Sequence, residues 1–338
     1  MKIKIAINGF GRIGRNLFRL LLNHPTIEVV AINDIADNRT MAHLLKYDSI
    51  HGVLPFDVGF DSFHISVGDK KFCFLHEKNI ADLSWRELDV DFVIECTGKH
   101  KTFGVLYQHI LAGAKKVILS VPPEDDKIKT VVLGVNHDIL DGTEKVISNA
   151  SCTTNNAAPM LKVLDELCGI EQAYITTVHS YTTDQSLHDQ PHKDLRRARG
   201  AAQSIVPTTT GAAKALTKIF PRLENKIGGC GIRVPVPDGS LTDITCHVRR
   251  KVTIEEINRT FKEVSQRELK GIVGYTEDPI VSVDVIGNTL SCLFDAELTS
   301  VIDNMVKVVG WYDNEIGYSS RLIDLVMYIS KSNHQNSH

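Results

Sequence analysis

The feature that most narrows the fold is a short run near the amino terminus, Asn8-Gly9-Phe10-Gly11-Arg12-Ile13-Gly14. It follows a strand pattern in which Ile3, Ile5 and Ile7 alternate with Lys2, Lys4 and Ala6, and it precedes Leu17, Leu20 and Leu21 at helical spacing. Strand, G-x-G-x-x-G turn and helix in that order form the opening step of a dinucleotide-binding βαβ unit. The glycines serve a tight turn, a close backbone approach to a pyrophosphate, and helix–strand packing. Phosphates then rest on the N–H groups at the helix start, near Arg12 and Ile13. A second apolar run, Ile27 to Ile32, ends at Asn33-Asp34, and Asp34 stands 20 residues beyond Gly14. That is the spacing of a carboxylate that accepts from an adenosine ribose diol. Because such a group repels a 2′-phosphate, the expected cofactor is NAD rather than NADP.

Beyond Asp34 the alternation continues without a long linker. Phe63 to Val67 and Lys71 to Leu75 flank Gly68-Asp69-Lys70 and read as an inserted hairpin. Asp91 to Glu95 and Val117 to Leu119 read as buried strands ending near Thr97 and Ser120, at the strand ends that face the ligand crevice of a doubly wound sheet. Each of these two could equally serve a turn. Past about residue 150 the grammar changes. Tyr174 to Val178, Gly231 to Val236, Leu241 to Val248 and Val306 to Trp311 read as strands, and Ile254 to Val264 as a helix, the pattern of a largely antiparallel sheet with helices on one face. Ser180 to Ser204 is polar and aperiodic, and a loop of that length is a functional or interface segment. A last helix from about Ile316 to Ile329 carries Leu322, Leu325, Val326 and Ile329 as one stripe, and Lys331 to His338 reads as a frayed tail.

The expected architecture is therefore α/β: a Rossmann-type doubly wound sheet over 1–150, an α+β catalytic domain with a mostly antiparallel sheet over 151–315, and a C-terminal helix, 316–338, packing back on the first domain. The formal net charge of −3 gives no reason to expect nucleic acid or an anionic membrane as partner. Seven scattered cysteines without C-x-x-C spacing argue against a disulfide framework and a zinc site, and for the reducing cytoplasm.

One cysteine stands apart. In Ser148-Asn149-Ala150-Ser151-Cys152-Thr153-Thr154-Asn155, the strand-like pair Val146-Ile147 leads in and Ala157, Leu161 and Leu164 follow at helical spacing, so Cys152 falls at a helix N-terminus. Its neighbours are small or polar. A thiol there is expected to have a lowered pKa and to act as a nucleophile, although most free cysteines are buried and inert.

These stretches, with His179, Pro207-Thr208-Thr209-Thr210-Gly211-Ala212-Ala213 and Trp311-Tyr312-Asp313-Asn314-Glu315, resemble phosphorylating glyceraldehyde-3-phosphate dehydrogenase along nearly the whole chain. The resemblance implies that Cys152 attacks the substrate aldehyde, that His179 is the general base, and that a hemithioacetal and then a thioester form before inorganic phosphate releases an acyl phosphate, 1,3-bisphosphoglycerate. It implies Thr182 and Arg233 at the substrate phosphate, and Ser151, Thr153, Arg197, Thr210 and Gly211 at the attacking phosphate, with Arg196 and Arg197 not distinguished. It implies cofactor contacts at Gly9, Gly11, Arg12, Ile13, Gly14, Asp34, Lys78, Ser120 and Asn314, the last holding the nicotinamide carboxamide. It also implies a homotetramer, through the Ser180–Ser204 loop. Asn156, Asp238-Gly239-Ser240, Lys78 and Gln190-Pro191 depart from the common family pattern. Alternatives are an erythrose-4-phosphate dehydrogenase of the same fold, or a Cys/His thiol acyltransferase or hydrolase, which leaves the glycine turn and Asp34 unexplained.

Overall fold

The computed structural model describes residues 2–335. They fall into two compact units: one of residues up to Val131, Asp138–Ala150 and the chain from Ser319 on, the other of Val132–His137 and Ser151–Tyr318. Residues 132–137 thus join the second unit ahead of the main crossing at 150/151.

The first unit is built on β1 (Ile3–Asn8), α1 (Arg12–Leu21), β2 (Ile27–Asn33), α2 (Asn38–Lys46), β3 (Val58–Phe60), β4 (His64–Val67), β5 (Lys70–Leu75), β6 (Phe92–Glu95), α3 (Phe103–Leu111), β7 (Lys116–Leu119), β8 (Lys129–Thr130) and β9 (Val146–Ser148). Its sheet runs β8-β9-β7-β6-β1-β2-β5-β4-β3. Pairing is parallel from β8 through β5 and antiparallel only where β3 and β4 extend the edge. Strands of this kind are apolar along their length because both faces are covered, and β6 and β7 are buried at every position. The order reverses on either side of β1, so the turn after β1 lies where a doubly wound sheet binds its ligand. The hairpin expected around Gly68 forms, with Val67 opposite Lys70 and Gly68 at φ +57°.

The second unit contains α4 (Cys152–Cys168), β10 (Ile170–Ser180), β11 (Val206–Thr208), α5 (Ala212–Ile219), β12 (Ile227–Val234), β13 (Ser240–Val248), α6 (Ile254–Gln266), β14 (Val273–Thr276), β15 (Cys292–Ile302) and β16 (Met305–Tyr312). The sheet order is β11-β12-β10-β13-β16-β15-β14, antiparallel except for β10–β12 and β14–β15. α4 lies close on β16, where a Cβ at Gly310 would meet Cys292 Sγ at 2.5 Å and Met160 Sδ at 2.8 Å. β10 is longer than the Tyr174–Val178 pattern indicated, and β14, β15 and α5 had no counterpart in that pattern. The final helix, α7 (Ile316–Gln335), buries Leu322, Leu325, Val326 and Ile329 as the stripe requires. It continues past Lys331 to Gln335, so the frayed tail is not found over that stretch; residues 336–338 lie outside the described part. Among the described residues no helix is long and apolar enough to cross a membrane.

Candidate active site

In the first unit, the loop between β1 and α1 is closed by glycine. Gly9 has φ +97°, and a Cβ on it would stand 2.7 Å from the Thr97 backbone nitrogen; one on Gly14 would stand 2.2 Å from the Gly9 carbonyl oxygen. At Gly11, by contrast, a Cβ would meet nothing within 4 Å. Gly11 is also the N-cap of α1, and no side chain caps that helix. A helix start left without a side-chain cap, beside open space, suits an anion. The cavity in front of it, about 330 Å³, is lined by Gly9, Gly11, Asp34, Lys78, Thr97 and His100 among others. Asp34 Oδ2 accepts from the Phe10 N–H at 2.7 Å and Oδ1 from the Ala36 N–H at 3.0 Å, so the carboxylate braces the glycine loop and keeps lone pairs for a ribose diol. The cavity and the glycine cradle fit a dinucleotide.

Not every expected cofactor residue turns its side chain to this cavity. The Arg12 guanidinium donates to Asp48 at 2.6 Å and 3.2 Å, and Arg12 is not among the residues that line the cavity. Ile13 and Gly14 follow in the first turn of α1. Ser120, just past β7, is buried, with its N–H on the Glu95 carbonyl. Beneath the loop lies a group with no sequence signal. The fully buried Glu95 carboxylate accepts from Asn8 Nδ2 at 2.6 Å and from the Thr97 N–H at 2.8 Å, with His109 Nε2 at 3.2 Å. Burial pushes this carboxyl up, but the bonds from His109 and Thr97 outweigh it and hold it below the usual range.

In the second unit, Cys152 opens α4 and His179 stands near the end of β10, with Cys152 Sγ 3.5 Å from His179 Nε2. His179 pairs across the sheet with Arg233 of β12. Arg233 Nη1 lies 2.5 Å from His179 Nδ1 and also donates to the Ser180 carbonyl at 2.8 Å; Nδ1 itself lies 2.8 Å from that carbonyl. Burial, then the Arg233 charge, push His179 down to about 3. Tyr312 sets the ring edge-on at 6.0 Å, and its hydroxyl is 3.0 Å from Thr153 Oγ1 and 3.1 Å from Thr177 Oγ1.

The lowered thiol pKa expected from the helix N-terminus is not found. Burial pushes the Cys152 thiol above its ordinary value, against the opposing pull of Arg233 and of the Thr153 N–H and hydroxyl. Ser151 occupies the cap position at this helix start. Its side chain caps α4, accepting from the Thr154 N–H at 3.1 Å.

The residues expected at two anion sites divide in the same way. Arg233 joins the Cys152–His179 pair. Arg197 donates through Nε to Thr208 Oγ1 at 2.8 Å, through Nη2 to the Thr209 carbonyl at 3.4 Å and through Nη1 to Asp184, and its charge also bears on His179 and Arg233. Arg196 is exposed, so of the two neighbours Arg197 is the one held beside Thr210 and Gly211. Thr210 Oγ1 accepts from the Ala212 N–H at 3.2 Å as α5 begins, which leaves its hydroxyl proton to donate, and Gly211 is exposed. Thr182 is half-buried at the start of the long loop.

Asn314 is buried just beyond β16. Its Oδ1 accepts from Ser240 Oγ at 2.6 Å and from Ser180 Oγ at 3.0 Å, and its N–H donates to Asp238 Oδ1 at 3.3 Å. The departing turn Asp238-Gly239-Ser240 therefore grips Asn314 at both backbone and side chain. Gly239 has φ +81° and sits 2.1 Å, measured from a built Cβ, off the Ser282 carbonyl, so no other residue fits between those two grips. Ser180, Ser240 and Tyr312 were assigned no site role from the sequence. Their hydroxyls carry no pattern until the strands bring them together.

Two family models match the chain. One described as the NAD binding domain of glyceraldehyde 3-phosphate dehydrogenase covers residues 3–103, and one described as its C-terminal domain covers 151–314. Among similar proteins, glyceraldehyde-3-phosphate dehydrogenase 2 of Streptomyces avermitilis is 53% identical over 332 residues, covering 97% of this chain and 99% of the relative. The glyceraldehyde-3-phosphate dehydrogenases of Mycobacterium avium and Geobacillus stearothermophilus are each 52% identical over 98% of this chain and 100% and 99% of their own lengths.

Proposed function

The chain belongs to the glyceraldehyde-3-phosphate dehydrogenase family, and from that premise we propose how its own residues divide the work. The reaction is the NAD-dependent oxidation of glyceraldehyde 3-phosphate, with inorganic phosphate, to 1,3-bisphosphoglycerate. The observation that carries the assignment of roles is the 3.5 Å approach of Cys152 Sγ to His179 Nε2.

NAD, when bound, accepts the hydride of the oxidation step. The N–H groups of Arg12 and Ile13 hold its pyrophosphate, Gly9, Gly11 and Gly14 make room for it, Asp34 takes the adenosine ribose, and Lys78 lies on the adenine side. Ser120 and Asn314 serve the nicotinamide.

Cys152 adds to the aldehyde carbon to form a hemithioacetal, and His179 takes the hydroxyl proton as the hydride departs and the thioester forms, a general-base role of the kind that accelerates by ~10²–10⁴-fold. His179 can accept that proton at Nε2 only while Nδ1 bears one. Ser180 O, 2.8 Å away, takes an N–H from Nδ1 in that state; Arg233, which has only donors, requires the opposite state. Drawing Arg233 onto the substrate phosphate, beside Thr182, releases Nδ1 to Ser180. After oxidation the acyl group is held as a thioester on Cys152. The attacking phosphate is met by Arg197, Thr210, Gly211, Ser151 and Thr153, a guanidinium with hydroxyl and backbone donors.

The Ser180–Ser204 loop, with Leu187 and Leu195 exposed, supports assembly as a homotetramer. The seven free cysteines support the cytoplasm as its compartment. The test is NADH absorbance with glyceraldehyde 3-phosphate, with and without inorganic phosphate, in the parent and in Cys152→Ala. Phosphate-dependent turnover that vanishes in the variant is expected. Turnover that survives the substitution would remove Cys152 from its role, and a strong preference for erythrose 4-phosphate would change the substrate.

A further inference from the structure

In the first unit, hydrogen bonds converge on one carboxylate beneath the cofactor cavity. Trp85 Nε1 can only donate, and it donates to His109 Nδ1 at 2.9 Å. A second proton on that imidazole would set an Nδ1–H against the indole N–H. The ring is therefore neutral, with its one proton on Nε2, 3.2 Å from Glu95 Oε2. The other oxygen, Oε1, accepts from the Thr97 N–H at 2.8 Å and from the Thr97 hydroxyl. Asn8 Nδ2 donates to Oε2 at 2.6 Å, and Asn33 Nδ2 in turn donates to Asn8 Oδ1 at 2.8 Å. Each oxygen of Glu95 thus receives an N–H that cannot turn round, and among the described residues its bonded partners are all neutral. Trp85, Glu95 and His109 are each at 0% exposure. A full negative charge is buried here without a counter-ion, an arrangement that is costly to maintain. Its surroundings are those of the cavity. Asn8, Asn33, Cys96 and Thr97 line that space, and the Thr97 backbone is the wall that a Cβ on Gly9 would meet. The Glu95 carbonyl accepts the N–H of Ser120, which serves the nicotinamide in the proposed reaction. The charge reaches the cavity wall: burial and then Glu95 push the Cys96 thiol up to about 12.

We propose that Glu95 is a positioning residue of the cofactor cavity: its carboxylate holds Thr97 against Gly9, and its charge favours the oxidised nucleotide over the reduced one. The proposal rests on the reading of this cavity as the NAD site. It goes beyond that reading in naming a residue behind the cavity wall that ranks the two redox forms. NADH carries one negative charge more than NAD, because hydride addition cancels the positive charge of the pyridinium ring. A fixed anion therefore disfavours NADH relative to NAD. Burial keeps salt from screening that difference away. In the direction of aldehyde oxidation, the weaker hold on NADH assists its release. His109 and Trp85 act one step further back, since the indole N–H keeps the imidazole neutral and so leaves the Glu95 charge uncancelled.

The experiment measures Kd for NAD and for NADH on the intact enzyme by calorimetry, without substrate, alongside the melting temperature. Glu95→Gln removes the charge and keeps the size. The ratio of the NAD Kd to the NADH Kd is expected to rise about threefold or more over the parent. Glu95→Asp keeps the charge but draws it one methylene away from Thr97. Both forms are then expected to weaken together, about threefold, with the ratio as in the parent. A purely structural carboxylate would lower the melting temperature in both variants and leave the ratio at the parent value, and that result overturns the proposal. So does an Asp variant that binds both forms as tightly as the parent, or that shifts the ratio, which keeps the proposal open to refutation where Glu95→Gln fails to fold. Asp34→Ala separates the two claims. If it leaves both affinities unchanged, the reading of the cavity falls and the role of Glu95 with it. If it weakens both forms while Glu95→Gln leaves the ratio unmoved, only the role of Glu95 falls.

Discussion

The two helix starts that carry the chemistry are built in opposite ways. α1 begins at Arg12 with Gly11 as its N-cap, no capping side chain, and open space where a Cβ would be. α4 begins at Cys152 with Ser151 as its N-cap, and the Ser151 hydroxyl satisfies the Thr154 N–H. The first is arranged to receive an anion from outside. The second spends part of its donor capacity on its own cap, and burial then pushes the neighbouring thiol up rather than down. The groups that favour the Cys152 thiolate against burial are Arg233 and then the Thr153 N–H and hydroxyl. A strand-to-helix handover with a small residue at the cap is one local design, but whether it holds a ligand or a nucleophile depends on what the cap leaves unsatisfied.

The largest expected effect separates the two starts outright. Cys152→Ala is expected to abolish aldehyde oxidation, yet leave NAD affinity, measured by calorimetry, within twofold of the parent. Loss of NAD binding in that variant would mean the two starts are not independent.

Next comes the loop before α1. Gly14→Ala drives a methyl to 2.2 Å from the Gly9 carbonyl and is expected to cost about 1–3 kcal/mol of stability or more, seen as a lowered thermal midpoint. Gly11→Ala, which meets nothing, is expected to leave that midpoint unchanged while weakening NAD binding. Equal loss of stability in both would contradict the open space assigned to the pyrophosphate.

Charge around the thiol is tested by its reactivity. With the thiol held above its ordinary value, alkylation of Cys152 by iodoacetamide is expected to rise nearly tenfold per pH unit through neutral pH, because only the thiolate reacts. Arg233 favours the thiolate, so Arg233→Gln is expected to slow alkylation at fixed pH and to raise the pKa of His179, which the same charge depresses. A plateau of reactivity already at pH 6 in the parent would restore the helix terminus as the activating element.

The smallest effect belongs to the cap itself. Ser151→Ala is expected to cost about 1 kcal/mol of stability in a denaturant titration, as removal of a side-chain cap does. It is also expected to free the Thr154 N–H and quicken Cys152 alkylation slightly. Slower alkylation would show that the Ser151 hydroxyl assists the thiol rather than drawing on its helix.

Much of this was legible in the linear chain because its signals are local. Alternation in Ile3, Ile5 and Ile7, the spacing of Gly9, Gly11 and Gly14, and the distance to Asp34 are imposed by backbone geometry over a few residues. They specify a βα turn whatever the rest of the chain does. Cys152 at a helix start and the stripe from Leu322 to Ile329 are of the same kind, and the family resemblance extended them to His179, Arg233 and Asn314. What the tertiary structure alone decided are the encounters between residues far apart in sequence. Arg233 reaches His179 because β10 and β12 run parallel in that register, and Ser180 and Ser240 reach Asn314 because three strand ends converge there. The sign of the Cys152 shift belongs to this class too. Burial is a sum over every element packed around an atom, and no stretch of sequence carries that sum.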